Sequence, residues 1–313
     1  MDILDSSAYL ERMLAAPRPG AAGLLAFYDH RVGAITTDPR FVLAPLDDHL
    51  CHRGDGVFET IAYRQRRLFQ LDAHLERMRN SAAGLKITPP CSWEQLRDIV
   101  PAVARAGGED DGGMRLLIGR GPGGFGISPA ECPTASLYVV AMRSAPPSEA
   151  WYAKGLTAFR SAIPAKQEYL ARIKNTNYLP NVLMSEEARE RHMDVALTFD
   201  ASGCLAEAAI ANVGIVDKDG VLACPEFTHS LPGTTVLAAM DVAAAAGMRT
   251  AFRGIRAEEL PSAREMLFFS SSPLCVGITH YEGAPIGDGR PGPVARMLRQ
   301  GLLERMLAEG APF

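Results

Sequence analysis

The 313-residue sequence has no uninterrupted run of about 20 apolar residues, the length that a membrane-spanning helix needs. Its first residues lack a basic segment followed by an apolar one, so we expect no secretory signal. The formal net charge is -4 without a long run of one sign, so we expect no nucleic-acid or membrane partner. The six cysteines form no CxxC pair, which favours reduced thiols in a cytoplasmic protein.

Several motifs of other enzyme classes are also missing. The glycines in 119–124 satisfy G-x-G-x-x-G after a predicted strand, but the residues that follow have two prolines and no helical period. A dinucleotide site needs a helix there, so we prefer a loop. The histidines and cysteine in 49–52 have no second cluster at zinc-site spacing, and no G-x-S-x-G elbow is present. We therefore expect neither a zinc site nor a serine hydrolase.

The remaining sequence alternates between strand and helix patterns, which predicts an α+β or mixed α/β protein. The proline-containing stretch 146–150 is the best linker, so we expect domains at 1–145 and 151–313. Apolar periodicity, capping residues and turn signals predict helices at 71–85, from 92 onward, and at 180–192, 235–246 and 293–307. We expect Asp72 to cap the first of these helices, and Ser92 and Gln95 have capping-box spacing at the start of the second. Strands are predicted at 23–30, 114–120, 136–142, 195–200, 209–216, 220–225 and 266–272.

Lys174 is the strongest candidate for chemistry, although its local context alone is typical of a surface lysine. Glu207 lies in an alternating apolar stretch, where a carboxylate is unexpected. The residues 233–235 open a predicted helix, whose N–H groups suit a phosphate, and Arg77 lies on another helix. A lysine, a carboxylate, a helix N-terminus and an arginine are the groups that a pyridoxal phosphate enzyme needs.

Six stretches carry a resemblance to a known family: HRGDGVFET, LDAHLERMRNSA, IKNTNYLPNVLMSEEA, LAEAAIANVGIV, LPGTTVLAAMDVA and MLFFSSS. In that order they resemble class IV aminotransferases, the fold-type IV group of pyridoxal phosphate enzymes. The resemblance implies a small N-terminal α/β domain and a larger C-terminal domain with a barrel-like core. It also implies a homodimer in which loops of the partner subunit complete the site.

The resemblance further implies a role for particular residues. Lys174 would be the Schiff-base lysine and proton shuttle, Glu207 would pair with the pyridine nitrogen, and Tyr178 would hydrogen-bond the ring hydroxyl. The other expected cofactor-binding residues, chiefly around the phosphate, are Arg77, Asn212, Thr234, Thr235, Ser271 and Ser272. One departure is Pro273 after Ser272, where the family often has Thr-Ala.

Two arginines bear on the substrate. Arg53 and Arg115 are at positions that face the substrate in relatives, and a guanidinium suits bidentate capture of a carboxylate. Branched-chain enzymes usually have tyrosines where Arg53 and Gly113 stand here. We therefore expect a transaminase that moves an amino group from a D-amino acid to a 2-oxo acid. A branched-chain aminotransferase, an aminodeoxychorismate lyase and a non-catalytic small-molecule binding protein remain as alternatives.

Overall fold

The computed structural model describes residues 1–144 and 147–313, which form two β-sheets with helices packed around them. The strands of the first sheet come from the N-terminal half, apart from one short strand at the C-terminus. They are β1 (Leu24–Asp29), β2 (Ala34–Thr36), β3 (Gly56–Arg64), β4 (Arg67–Leu68), β5 (Gly112–Gly119), β6 (Ser136–Met142) and β16 (Ala311–Pro312). Their order is β16-β4-β3-β5-β6-β1-β2, so the C-terminus returns to the edge of this sheet.

The second sheet contains the intervening strands. They are β7 (Leu156–Arg160), β8 (Val195–Phe199), β9 (Leu205–Ala208), β10 (Asn212–Val216), β11 (Leu222–Cys224), β12 (Thr250–Phe252), β13 (Glu265–Ser270), β14 (Leu274–Tyr281) and β15 (Ala284–Pro285). The order is β12-β11-β10-β13-β14-β7-β8-β9, with β15 paired to β14. Both sheets are curled into half-barrels, which confirms the expected mixed α/β fold.

Helices cover both sheets. They are α1 (Ser6–Ala15), α2 (His49–His52), α3 (Leu71–Gly84), α4 (Trp93–Gly107), α5 (Glu149–Lys154), α6 (Glu168–Ala171), α7 (Leu179–Glu190), α8 (Thr234–Ala245) and α9 (Pro293–Glu309). Helices α3 and α4 pack with β3, β5 and β6 in one core, and α8 and α9 pack on β13 and β14 in another. None of these helices in the described part of the chain is long and apolar enough to cross a membrane.

Most predicted elements are confirmed within a few residues, and one predicted helix cap is wrong. The capping box of Ser92 and Gln95 is present at the start of α4. Asp72 was expected to cap α3, but the cap is Gln70 in a left-handed conformation, and Asp72 lies in the first turn. The segment after Gly124 forms bends and a short 3-10 helix, which confirms the loop and excludes a dinucleotide helix there.

The proposed division of the chain stays a prediction. Part of the expected linker, residue 146, lies outside the described residues, as does residue 145 at the expected end of the first domain. Helix α5 begins at Glu149, inside the expected linker. The pairing of β16 with β4 ties the C-terminus to the N-terminal sheet, so the two sheets do not divide cleanly at one point in the sequence.

Candidate active site

A cavity of about 340 Å³ has walls from both sheets, and it contains nearly all the residues expected to form a site. The first sheet contributes β3, β5 and the adjacent α3, and the second contributes β9, the start of α8 and the turn after β13. The expected residues that line it are Arg77, Arg115, Lys174, Tyr178, Glu207, Asn212, Thr234, Thr235, Ser271 and Ser272. Arg53 does not line it, so one expected substrate residue lies apart from the rest.

Lys174 lies in the loop between α6 and α7, and its backbone is fixed by the N-terminal half. Its carbonyl accepts from the N–H of Phe58 at 2.9 Å, and its N–H donates to Ser81 Oγ at 3.1 Å. The side chain reaches into the cavity, where Nζ is 3.3 Å from the Tyr178 hydroxyl and 4.5 Å from the centre of the Phe58 ring. These contacts hold the amine in one place against the cavity wall.

The environment of Lys174 favours its neutral amine. Burial lowers the pKa of Lys174 from 10.5 to about 7, and the positive charge of Arg77 adds to this effect. Glu59 and Glu207 oppose the shift but do not cancel it. A large fraction of the amine is therefore unprotonated near neutral pH, which is the form that attacks a carbonyl carbon.

Tyr178 and Glu207 stand beside Lys174 in the same cavity. Burial raises the pKa of the Tyr178 hydroxyl above 10, with a further contribution from the Glu207 charge, so this hydroxyl stays protonated at neutral pH. Glu207 lies on β9 with 8% of its surface exposed, and its Oε2 accepts from the N–H of Leu231 at 3.1 Å. A buried carboxylate held in this way can accept a hydrogen bond from an N–H group of a ring bound in the cavity.

The N-terminus of α8 opens into the cavity without a side-chain cap. Gly233 is the N-cap residue and makes no side-chain hydrogen bond, so the first N–H groups of the helix have no capping partner. A Cβ on Gly233 would lie 1.8 Å from Asn212 Oδ1, so a larger residue there would displace the Asn212 side chain, which donates to the Leu231 carbonyl at 2.8 Å. Thr234 and Thr235, the first helical residues, line the cavity, and together these groups suit an anion such as a phosphate.

A buried hydrogen-bond network holds the Arg77 guanidinium in place. The guanidinium donates to Glu59 through Nε at 2.8 Å and Nη2 at 2.6 Å, and through Nη1 to the Pro232 carbonyl at 3.2 Å. Glu59 also accepts from His74 Nδ1 at 2.7 Å. Burial by itself would raise the pKa of Glu59, but Arg77 and His74 outweigh it and lower that pKa from 4.5 to about 2. The carboxylate is thus charged at neutral pH.

His74 extends this hydrogen-bond network to Thr234. Burial lowers the pKa of His74, so the ring is neutral at pH 7. Since Nδ1 faces the Glu59 carboxylate, it holds the proton, and Nε2 is the acceptor. Thr234 Oγ1 lies 3.2 Å from Nε2 and therefore donates to it. The hydroxyl proton of Thr234 is thus engaged, whereas Thr235 has no side-chain hydrogen bond in the described residues and can donate to a ligand.

The two expected substrate arginines have different surroundings. Arg115 on β5 lines the cavity opposite Thr60 of β3, with its guanidinium 4.8 Å from the centre of the Phe58 ring. Burial lowers its pKa. Within the described residues it has no carboxylate partner. Arg53 is exposed, and its guanidinium donates to the carbonyls of Phe125 and Gly126, the latter at 3.1 Å.

Sequence reasoning missed two charged residues of this site. Glu59 lies in an alternating strand with apolar residues on both sides, which is the signal that singled out Glu207. Lys166 lines the cavity with Nζ 3.2 Å from Glu207 Oε1, but its surroundings in the sequence are an irregular polar segment. No local pattern could have identified Lys166, because its partner is 41 residues away.

Comparison with known proteins agrees with this geometry. The family model for amino-transferase class IV matches residues 56–281. A D-amino-acid transaminase, chloroplastic, of Arabidopsis thaliana is 32% identical over 97% of this chain and 82% of its own. A branched-chain-amino-acid aminotransferase of Pseudomonas aeruginosa is 27% identical over 80% of this chain and 84% of its own. The crystal structure of a T.th. branched-chain amino acid aminotransferase with pyridoxamine 5'-phosphate superposes with a TM-score of 0.85 at 26% identity, covering 91% of this chain and 95% of that one.

A lysine with a lowered pKa, a helix N-terminus without a side-chain cap and a buried carboxylate line one cavity, and together they suit a phosphorylated aromatic aldehyde. The chain belongs to the class IV aminotransferases. Its cofactor is pyridoxal phosphate, and its substrates are amino acids and 2-oxo acids. The residues present fit this group, because Lys174, Glu207 and the uncapped start of α8 all line a cavity of about 340 Å³.

Proposed function

We propose that the enzyme transfers the amino group of a D-amino acid, such as D-alanine or D-glutamate, to a 2-oxo acid. The observation that carries the proposal is Arg115, a guanidinium in the cavity wall without a protein carboxylate in the described residues. A partly buried guanidinium without an anionic partner is unfavourable unless a ligand anion binds it, and a carboxylate matches its two parallel donors. The Arabidopsis thaliana relative, named for D-amino acids and similar over 97% of this chain, supports the choice of enantiomer.

The site residues have distinct parts in this proposal. Pyridoxal phosphate supplies a reactive carbonyl carbon and an electron-withdrawing ring. The start of α8, Thr235 and Arg77 bind its phosphate, with Asn212, Ser271 and Ser272 in the surrounding wall. Glu207 accepts from the ring nitrogen, and Tyr178 donates to the ring hydroxyl. Together these contacts fix the orientation of the ring beside Lys174.

Lys174 is also the proton carrier. A lysine whose pKa is about 7 can take a proton from the substrate Cα and deliver it to the carbon on the other side of the transferred nitrogen without a large energetic cost in either direction. Its Nζ lies 3.3 Å from the Tyr178 hydroxyl, so the amine stays close to the reacting atoms while it changes protonation state. Replacement of Lys174 by alanine removes both the covalent attachment point and this base.

A donor panel tests the enantiomer and the side chain together. Purified enzyme is offered D-alanine, L-alanine and L-leucine with 2-oxoglutarate as acceptor, and D-glutamate with pyruvate as acceptor, and the 2-oxo acid formed from each donor is quantified. We expect turnover of the D-amino acids and at least tenfold lower turnover of L-leucine. Turnover of L-leucine without D-alanine activity would refute the proposal in favour of the branched-chain reaction. Lys174→Ala serves as the inactive control.

We further propose that the chain forms a homodimer whose interface borders the cavity. Large apolar side chains are exposed around it: Leu179 is 67% exposed, Val182 59% and Ile210 67%, and Ile210 lines the cavity itself. Apolar surface of this kind is typical of subunit interfaces. Light scattering should give a dimer for the wild type and a monomer for Val182→Asp. A monomeric wild type would contradict the proposal.

We also propose a cytoplasmic location for the enzyme. None of the six cysteines in the described residues is paired in a disulfide, and two of them, Cys224 and Cys275, are fully buried. Reduced thiols persist in a reducing compartment. Fractionation of cells that express the native chain, followed by immunodetection, tests this location, and recovery in a membrane or secreted fraction would contradict it.

A further inference from the structure

Lys166 forms an ion pair with the carboxylate that is proposed to bind the cofactor ring. It lies between β7 and α6, and its Nζ is 3.2 Å from Glu207 Oε1. The same ammonium is 5.0 Å from the centre of the Tyr178 ring. The pair is largely removed from solvent, with 20% of the Lys166 side chain and 11% of the Glu207 side chain exposed. The pair is therefore part of the wall against which a bound ring would rest.

Glu207 has limited capacity to accept a further hydrogen bond from a group in the cavity. Its Oε2 is held by the N–H of Leu231 at 3.1 Å, and its Oε1 is the atom that faces Lys166. A protonated ring nitrogen is also a cation and would interact with the same carboxylate. An ammonium already paired with that carboxylate makes it a weaker partner for a second positive charge. Lys166 and the ring nitrogen therefore compete for Glu207.

A second cavity offers the Lys166 side chain an alternative position. It lines a second cavity of about 490 Å³, together with Arg160, Asp200 and His229. Asp200 uses Oδ1 to accept from Ser202 and Cys204, while its Oδ2 accepts no hydrogen bond from the described residues. A lysine has a flexible four-carbon stem, so its ammonium can move between the two cavities by rotation about side-chain bonds.

We propose that Lys166 is a positioning residue that holds Glu207 while the cofactor is absent and yields it to the ring nitrogen by turning into the second cavity. The inference rests on the proposed role of Glu207 in binding the ring. It explains why a flexible cation, rather than a rigid arginine, lies beside this carboxylate. It also requires that Lys166 stabilises the cofactor-free protein and weakens cofactor binding.

The test measures cofactor affinity rather than activity. Cofactor-free wild type and Lys166→Met are titrated with pyridoxal phosphate, and the dissociation constant is obtained from fluorescence quenching. Losing a competing ion pair that is partly exposed should tighten binding about three- to tenfold. The melting temperature of the cofactor-free variant should fall more than that of the loaded variant. Lys166→Arg keeps the charge and should bind the cofactor no more tightly than the wild type.

Lys218→Met is the matched control, since Lys218 is an exposed lysine in a turn remote from both cavities, and its affinity should equal that of the wild type. A double-mutant cycle with Glu207→Gln tests whether Lys166→Met changes cofactor affinity through Glu207. In the Glu207→Gln background, Lys166→Met should no longer tighten binding. Unchanged or weaker binding by Lys166→Met, or an equal gain in both backgrounds, would overturn the inference. Lys166→Gln replaces Lys166→Met if the latter does not fold.

The proposed function has a separate readout in the same samples. Wild type should show a visible absorbance band with pyridoxal phosphate that borohydride bleaches and that Lys174→Ala lacks. If that band appears but the Lys166 affinities do not differ, the inference fails while the role of Lys174 stands. If Glu207→Gln alone leaves affinity and spectrum unchanged, the proposed role of Glu207 fails, and the inference fails with it.

Discussion

Replacing Glu59 by glutamine tests whether the buried network behind Arg77 stabilises the fold through charge. Glu59 has no exposed surface and forms a bidentate pair with Arg77 as well as a hydrogen bond to His74. Glutamine keeps the size of the side chain but removes its charge. The buried Arg77 guanidinium, 10% exposed, then loses its anionic partner. Breaking one side of a buried pair typically costs about 3–5 kcal/mol.

The pKa of Glu59 gives a similar magnitude. It falls from 4.5 to about 2 in the folded protein. At roughly 1.4 kcal/mol per pKa unit, this shift corresponds to about 3 kcal/mol of stability at pH 7. Because the folded pKa is the lower one, the stabilisation is fully present above pH 4.5 and is lost as the pH falls toward about 2.

Urea unfolding of the cofactor-free protein, followed by circular dichroism, measures the effect. We expect Glu59→Gln to unfold about 3 kcal/mol more easily at pH 7, and the difference from wild type to shrink below pH 4.5. Glu76→Gln is the control, since Glu76 is exposed on α3, the helix that carries Arg77, and pairs only with surface groups. A difference at pH 7 below about 1 kcal/mol, or one that grows as the pH falls, would refute the reasoning.

Three other predictions follow from the geometry of the cavity. The rate at which cofactor-free enzyme takes up pyridoxal phosphate should rise with pH to a plateau with a midpoint near 7, as the Lys174 amine loses its proton; stopped-flow absorbance checks this, and a rate still rising above pH 9 would contradict it. Arg115→Met should raise KM for the amino donor about 10-fold or more, with a smaller change in kcat, because one carboxylate contact is worth about 1.5–3 kcal/mol. Steady-state kinetics measure this effect, and an unchanged KM would remove Arg115 from the substrate site. Thr235→Val should weaken cofactor binding more than Thr234→Val, because the Thr234 hydroxyl donates to His74. Equilibrium dialysis measures both variants, and the reverse ranking would show that Thr234 is the phosphate donor.

Local patterns in the sequence were sufficient for most of the secondary structure. The helix at 71–85 was predicted from apolar residues at helical spacing, and the next helix from the capping box of Ser92 and Gln95. Both signals act between residues three or four apart, so the chain encodes them without reference to the fold. Asp72 shows the limit of such signals, since the cap of α3 is Gln70 in a left-handed conformation.

The order of the family motifs likewise determined the class of enzyme and the position of Lys174. It did not determine the properties of that lysine. Its lowered pKa arises from burial and from Arg77, which is 97 positions away in the sequence and is brought close only when the two sheets assemble.

Tertiary structure alone decided the electrostatic partners in the cavity. Glu59 and Arg77 are separated by 18 positions, and Lys166 and Glu207 by 41. Neither pair has a periodic pattern that links its members. Charges interact through space, so only the folded chain shows which charged groups form pairs and which, like Arg115, have no carboxylate partner among the described residues. Local patterns therefore predicted most of the elements, and the order of the motifs predicted the family. The lowered pKa of Lys174 depends on the packing of the folded chain around it.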